Sequence, residues 1–228
     1  MDLSQLHRNN WQNFFYKLYK IRTRIFILLC KKDNVTYSSN HEDQILDILT
    51  GKKDKGFYID IGANDPNHIS NTKKFYQRGW SGINIEPSLE CYGNLLKYRP
   101  RDINLHTAIG EGEQDYHEPS HSGGHLSSTF SKKVFEELGM ATVPHRVKKM
   151  KMTPLTEIFE SHVRGREVDF MSIDVEGYED EVLKSNDWTK FKPKVLCIER
   201  WGFHVFLKQF GYKFIMYDGS NSYFKLKK

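Results

Sequence analysis

The sequence predicts an α/β fold: a mostly parallel sheet with helices on both faces and an antiparallel hairpin at its C-terminal end. Three observations carry this expectation. Phe57-Tyr58-Ile59-Asp60-Ile61-Gly62-Ala63-Asn64-Asp65 is an apolar β-type run that meets an acidic residue, then turns on a glycine into a polar, helix-opening segment. Ser172-Ile173-Asp174-Val175-Glu176-Gly177-Tyr178-Glu179 likewise sends a strand end through a glycine into a helix. Near the C-terminus, Tyr212–Tyr217 and Ser222–Leu226 flank Asp218-Gly219-Ser220-Asn221, whose residues suit a hairpin turn. Alternating β and α segments closed by such a hairpin give a parallel sheet with one antiparallel pair.

Taken in order, residues 41–49 read as an amphipathic helix closed by Gly51, and residues 56–61 as the first strand. A helix follows over 69–77, capped by Ser70 or Asn71 and ended by Gly79. Residues 81–86 form the second strand, 88–98 a helix, and 103–109 a third strand stopped by Gly110. Residues 111–150 break the rhythm. They are rich in Gly, Ser, His and Glu and read as an irregular substrate-side insertion with a short helix near 131–138. Alternation returns at 147–152, and 154–162 reads as helical. Strands at 169–175 and 194–199 enclose a helix at 178–185, and a short helix near 203–210 precedes the hairpin.

Bulk properties restrict the function classes. With 228 residues, 38% of them hydrophobic, the chain can bury one self-sufficient core. Cys30, Cys91 and Cys197 lie far apart with no Cys-x-x-Cys spacing, as expected of reduced thiols in a cytoplasmic protein. The net charge of +5 is concentrated at one end: residues 1–32 carry seven Lys and Arg against Asp2. The remaining body is near neutral and lacks the basic face of a nucleic-acid-binding surface. Residues 1–35 therefore form a basic extension to a domain at 36–228. Trp11, Phe14, Leu18, Ile21, Ile25 and Leu28 fall at helical spacing, and the apolar run 25–30 is far short of a membrane span. Such a stripe suits peripheral membrane contact, a partner helix or homodimer, or a helix folded back on its own domain.

Ligands in open α/β sheets bind outside the carboxyl ends of the strands. The residues expected there are Asp60 to Asp65, Glu86, Ala108 to Gly110, Asp174 to Gly177, and Glu199. A pyrophosphate cradle needs Gly-x-Gly-x-x-Gly, whereas this turn has Gly62 alone. Asp-x-Gly-x-Asn instead resembles the first motif of class I S-adenosylmethionine methyltransferases, whose ligand has no phosphate. Glu86 is then placed to accept both ribose hydroxyls, with Asp60 and Asn64 at the amino-acid end of the ligand. Asp174 and Glu176, two apart, face one side if extended, and close carboxylates raise each other's pKa. They are candidates for general-base work on a hydroxyl. Alternatively, with Glu199, they would ligate a divalent cation such as Mg or Mn. His125 and His121 are rival bases in the insertion, and Tyr116, Phe130 and Trp201 are candidates for an aromatic platform under the acceptor.

Several stretches carry a more specific resemblance: Glu42-Asp43-Gln44-Ile45, Phe57 to Asn64, Ser70-Asn71-Thr72, Gly79-Trp80, Ile83 to Pro87, Arg99-Pro100-Arg101-Asp102, and Asp169 to Glu179. In this order they resemble the FkbM-like methyltransferases over roughly residues 36–226. The resemblance implies a Rossmann-like class I methyltransferase sheet and O-methylation of a hydroxyl, often on a sugar of a glycan, polysaccharide or glycolipid. It also implies an S-adenosylmethionine pocket at Asp60, Gly62, Ala63, Asn64, Asn71, Thr72 and Glu86, and reaction-side acids at Asp174 and Glu176. Other acceptors (a small molecule, RNA or protein) and an inactive adaptor held by its N-terminal helix are the competing readings.

Overall fold

The computed structural model describes residues 35–120, 128–137 and 139–227. Its centre is a seven-stranded sheet. The strands are β1 (Phe57–Ile61), β2 (Ser81–Ile85), β3 (Ile103–Leu105), β7 (Phe170–Ile173), β8 (Val195–Glu199), β9 (Tyr212–Tyr217) and β10 (Asn221–Leu226), in spatial order β3-β2-β1-β7-β8-β10-β9. The first five run parallel. β10 pairs antiparallel with both β8 and β9, so the hairpin inserts its last strand into the sheet. Because the strand order reverses beside β1, the carboxyl ends of β1, β2 and β7 open a crevice there.

Side-chain alternation explains why helices cover both faces. Ile59, Ile61, Ile83, Ile85, Met171, Ile173, Leu196 and Ile198 point to one side, onto Leu155, Phe159, Val182 and Leu207. Tyr58, Phe170, Cys197 and Tyr223 point to the other, onto Ile45, Leu46, Phe75 and Trp80. Tyr58 stacks on Phe170 at 5.6 Å between ring centroids, and Phe75 meets the same Phe170 at 4.6 Å. Cys91 and Cys197 are free, buried thiols; Cys30 and the helical stripe of the N-terminal extension lie outside the described residues.

Four sequence expectations change. The helix of residues 41–49 forms as α1 (Glu42–Leu49), but its polar face is buried too. Asp43 explains this by accepting hydrogen bonds from Thr36 Oγ1 (2.6 Å), Tyr37 N (2.9 Å) and Ser38 Oγ (3.1 Å). The next helix, α2, spans only Lys73–Gln77; Ile69 takes a left-handed φ of 51° and keeps the preceding residues out of it. The expected strand 103–109 is two strands, because β4 (Ala108–Ile109) leaves the main sheet and pairs parallel with Met152 and Thr153. Finally, the insertion is not irregular throughout. β5 (Glu113–Pro119) and β6 (His145–Thr153) pair antiparallel and, with β4, make a second, three-stranded sheet. The alternation at 147–152 falls within β6, whereas Glu113, Asp115 and Glu118 hid that of β5. The short helix falls at Lys132–Glu137, close to where the sequence puts it.

Candidate active site

The crevice has a volume of about 290 Å³, near the small end of the usual range for ligand sites. Its floor comes from the turn after β1. Gly62 N and Ala63 N donate to Ile85 O at 3.0 and 3.2 Å. Gly62 has φ of 77°, and a Cβ there would stand 1.8 Å from the carbonyl oxygen of Asp174. Only glycine allows this contact, which presses the β1 turn against the acid-bearing turn after β7. Asn64 is left-handed (φ 50°), a conformation Asn tolerates better than most residues.

Glu86 directly follows β2 at 5% exposure, its carboxylate aimed at this turn. One oxygen accepts from Asn64 N at 2.8 Å and the other from Ser88 N at 2.7 Å. Burial pushes its pKa up to about 7 despite those two donors. Each oxygen keeps a further lone pair for a ligand hydroxyl. Asp60 is also buried in the floor. Its pKa is pushed up to about 6 by burial, against the opposing effects of the Thr72 hydroxyl, 2.8 Å away, and the Arg99 charge. Asn71 donates to Ser172 Oγ at 3.0 Å, tying the segment before α2 to β7.

The opposite wall is acidic. Asp174, Glu176 and Glu199 each bring one carboxylate oxygen into a group within 4.8 Å of one another. Burial, then the charges of Glu176 and Glu179, hold Asp174 well above the usual carboxylate range. Glu199 is raised in the same way by burial and by Asp174. Glu176 rises to about 7 through burial and the charge of Glu199. The convergence does not arise as the spacing suggested. The chain is not extended past Asp174, since Glu176 has φ of 51° and Gly177 of 93°. Thr129 Oγ1 donates to the Glu176 carbonyl at 2.7 Å, and fully buried Glu179 accepts from Gly177 N at 2.9 Å. Arg200 in turn pairs with Glu179 at 2.7 Å. Three oxygen donors of this kind fit a hard divalent cation, or share protons between them.

The insertion supplies the third wall through Tyr116, Ser128 and Phe130. Tyr116 and Phe130 rings lie 4.8 Å apart, and Phe130 is 5.7 Å from Tyr178. Of the residues expected at the site, Asp60, Gly62, Ala63, Asn64, Asn71, Glu86, Asp174 and Glu176 line the crevice. Thr72 stands behind Asp60, and Glu199 joins the acids. Ala108 is buried on β4 beside Met152, away from this lining, because the chain left the main sheet before it. Trp201 packs edge-on against Phe214 and Tyr217 of the hairpin rather than facing the crevice. His121 and His125 lie outside the described residues. Ser39 and Ile69 also line the crevice; a lone serine before α1 and an isoleucine in the left-handed region carry no sequence signal. A separate hollow of about 230 Å³ near His106 and His162 shares none of these residues. Among the described residues, no helix is long and apolar enough to cross a membrane.

The family model of the methyltransferase FkbM domain matches residues 60–220, from the crevice floor to the C-terminal hairpin turn. Among curated proteins none matches the chain.

Proposed function

Given that the chain belongs to the FkbM methyltransferase family, we propose that it is an S-adenosylmethionine-dependent O-methyltransferase whose acceptor is a hydroxyl of a sugar. One observation carries the reading: a single crevice has a buried carboxylate and a phosphate-free glycine turn on one side and converging acids on the other. S-adenosylmethionine would supply the methyl group from its sulfonium sulfur, the breaking C–S bond leaving a neutral thioether. The residues fit that donor. Glu86 has free lone pairs for two ribose hydroxyls, buried Asp60 offers negative charge to the cationic amino-acid end, and Asn64 and Asn71 add amide groups beside it.

On the acceptor side, Asp174 and Glu176 are the groups suited to take the hydroxyl proton. A carboxyl whose pKa is raised toward neutrality is a stronger base when ionised than an ordinary one. Glu199 makes a third oxygen donor, so these acids would also hold a Mg or Mn ion if one is used. Tyr116 and Phe130 offer ring faces to the apolar side of a sugar, and Ser128 a hydroxyl to its polar edge. The near-neutral body favours a saccharide over RNA.

Titrating S-adenosylmethionine into the protein and assaying transfer from labelled donor to a panel of saccharides tests the reading. It requires saturable donor heat and label on a sugar oxygen. Absence of donor heat at millimolar concentration would favour an inactive adaptor, and label on RNA or protein would replace the acceptor.

A further inference from the structure

Arg99 lies at the C-terminal end of the helix Leu89–Tyr98, only 2% exposed, and beyond its charge on Asp60 it has been given no part in the site. Its Nη2 donates to Pro66 O at 2.7 Å and to Ser70 Oγ at 3.1 Å, so one guanidinium grips both ends of the segment 66–70. Between those ends stands Ile69, a β-branched residue at φ of 51°, exposed at the crevice mouth. Such a residue is a conformational outlier that only its surroundings can hold. Nη1 reaches the Tyr58 hydroxyl at 3.4 Å.

The charge of Arg99 needs explaining as well. A buried guanidinium normally sits against a carboxylate, yet among the described residues no carboxylate forms a direct ion pair with it. Its counter-charges lie one or two hydroxyls away. Tyr58 donates to Asp102 at 2.6 Å. Ser70 Oγ lies 3.4 Å from Thr72 Oγ1, and Thr72 donates to Asp60 at 2.8 Å. The second path leads from Arg99 into the crevice floor.

We propose that Arg99 is the positioning residue of the donor pocket. It clamps the segment 66–70 from beneath and, through Ser70 and Thr72, orients the Asp60 carboxylate toward the cationic amino-acid end of the donor. This rests on the reading of the crevice as a donor site. Arg99 touches no ligand itself; its effect falls on one end of the donor and leaves the adenosine end, held by Glu86, alone.

That asymmetry gives the test. Arg99→Lys and Thr72→Val are each titrated with S-adenosylmethionine and with 5′-methylthioadenosine, which has the adenosine and sulfur but no amino-acid end. Thr72→Val cuts the path to Asp60 while leaving Arg99 in place, so the question survives if the arginine variant folds poorly. The expected result is about a tenfold loss for S-adenosylmethionine in each variant, with affinity for methylthioadenosine within twofold of wild type. Equal losses for both ligands, or no loss for either, would overturn the positioning role. Wild-type protein that binds neither nucleoside would overturn the donor-site reading itself, an outcome visible before any variant is compared.

Discussion

Replacing Gly62 by alanine probes the contact that joins the two halves of the crevice. The added Cβ would stand 1.8 Å from Asp174 O and 2.9 Å from Asp174 C, where side chains essentially never approach closer than 3.0 Å. The turns after β1 and β7 must therefore part by more than an ångström. Neither can yield easily, since Asp174 N donates to Ile61 O and Gly62 N to Ile85 O, each at 3.0 Å. Alanine at φ of 77° adds a left-handed backbone penalty of roughly 1–2 kcal/mol, and overpacking of this kind costs about 1–3 kcal/mol. The sum, roughly 2–5 kcal/mol, is a large share of the ~5–15 kcal/mol that holds a typical domain together. Urea denaturation should show this loss, and the folded fraction should bind donor at least tenfold more weakly. Gly93→Ala is the internal control. Gly93 is exposed within the helix Leu89–Tyr98 with nothing within 4 Å of its would-be Cβ, so alanine there should add about 0.5–1 kcal/mol. A Gly62→Ala protein as stable as wild type would refute the close approach.

Asp174→Asn and Glu176→Gln should each lower kcat by roughly 10²–10⁴ with donor affinity little changed; full turnover in both would remove them as bases. Adding EDTA and then Mg or Mn to wild type separates the two uses of the acid cluster, since a proton acceptor alone survives chelation and a cation site does not. Stability should depend on pH with a definite sign. The carboxyls of Asp60, Glu86 and Glu176 have folded pKa values raised by burial to about 6, 7 and 7. Their contribution is full below the ordinary carboxyl range and is lost as pH rises through those values. Asp169 has the opposite sign: despite burial, hydrogen bonds from Lys53 and Lys194 hold it low, and its contribution is lost in acid. The urea midpoint should therefore fall as pH rises from about 4.5 to about 7 and level off above that, and a flat profile across this window would contradict the assigned burial. Deleting residues 1–32 should abolish vesicle flotation, or a dimer mass by light scattering, if the apolar stripe serves either purpose; unchanged behaviour in both assays leaves a fold-back contact.

Much of this was legible because the strand ends announce themselves. The run Phe57–Ile61 ends against Gly62, and Phe170–Ile173 leads through Asp174 and Glu176 to Gly177, and ligands in such sheets gather there whatever the intervening chain does. That local rule sufficed to bring Asp60, Asn64, Glu86, Asp174 and Glu176 to one crevice. It failed where tertiary pairing decided the outcome. Ala108 follows β3 as a continuous strand would, but its partner is Met152, some forty residues later, and nothing local marks the departure. Alternation at 147–152 marked the later part of β6, but β5, with Glu113, Asp115 and Glu118 along it, gave no such signal, and the pairing of the two is decided by tertiary contact. Ile69 and Glu176 adopt left-handed backbones that their residue types disfavour. Arg99 read as part of a family resemblance, while its grip on Pro66 and Ser70 depended on a loop whose course only the structure shows.

The most direct test is a crystal structure with S-adenosylhomocysteine, the demethylated donor. The account predicts ribose hydroxyls within hydrogen-bond distance of Glu86, the amino-acid end against Asp60, and the sulfur facing Asp174 and Glu176. Adenosine density at any other edge of the sheet, with the crevice between Glu86 and Asp174 left empty, would contradict it.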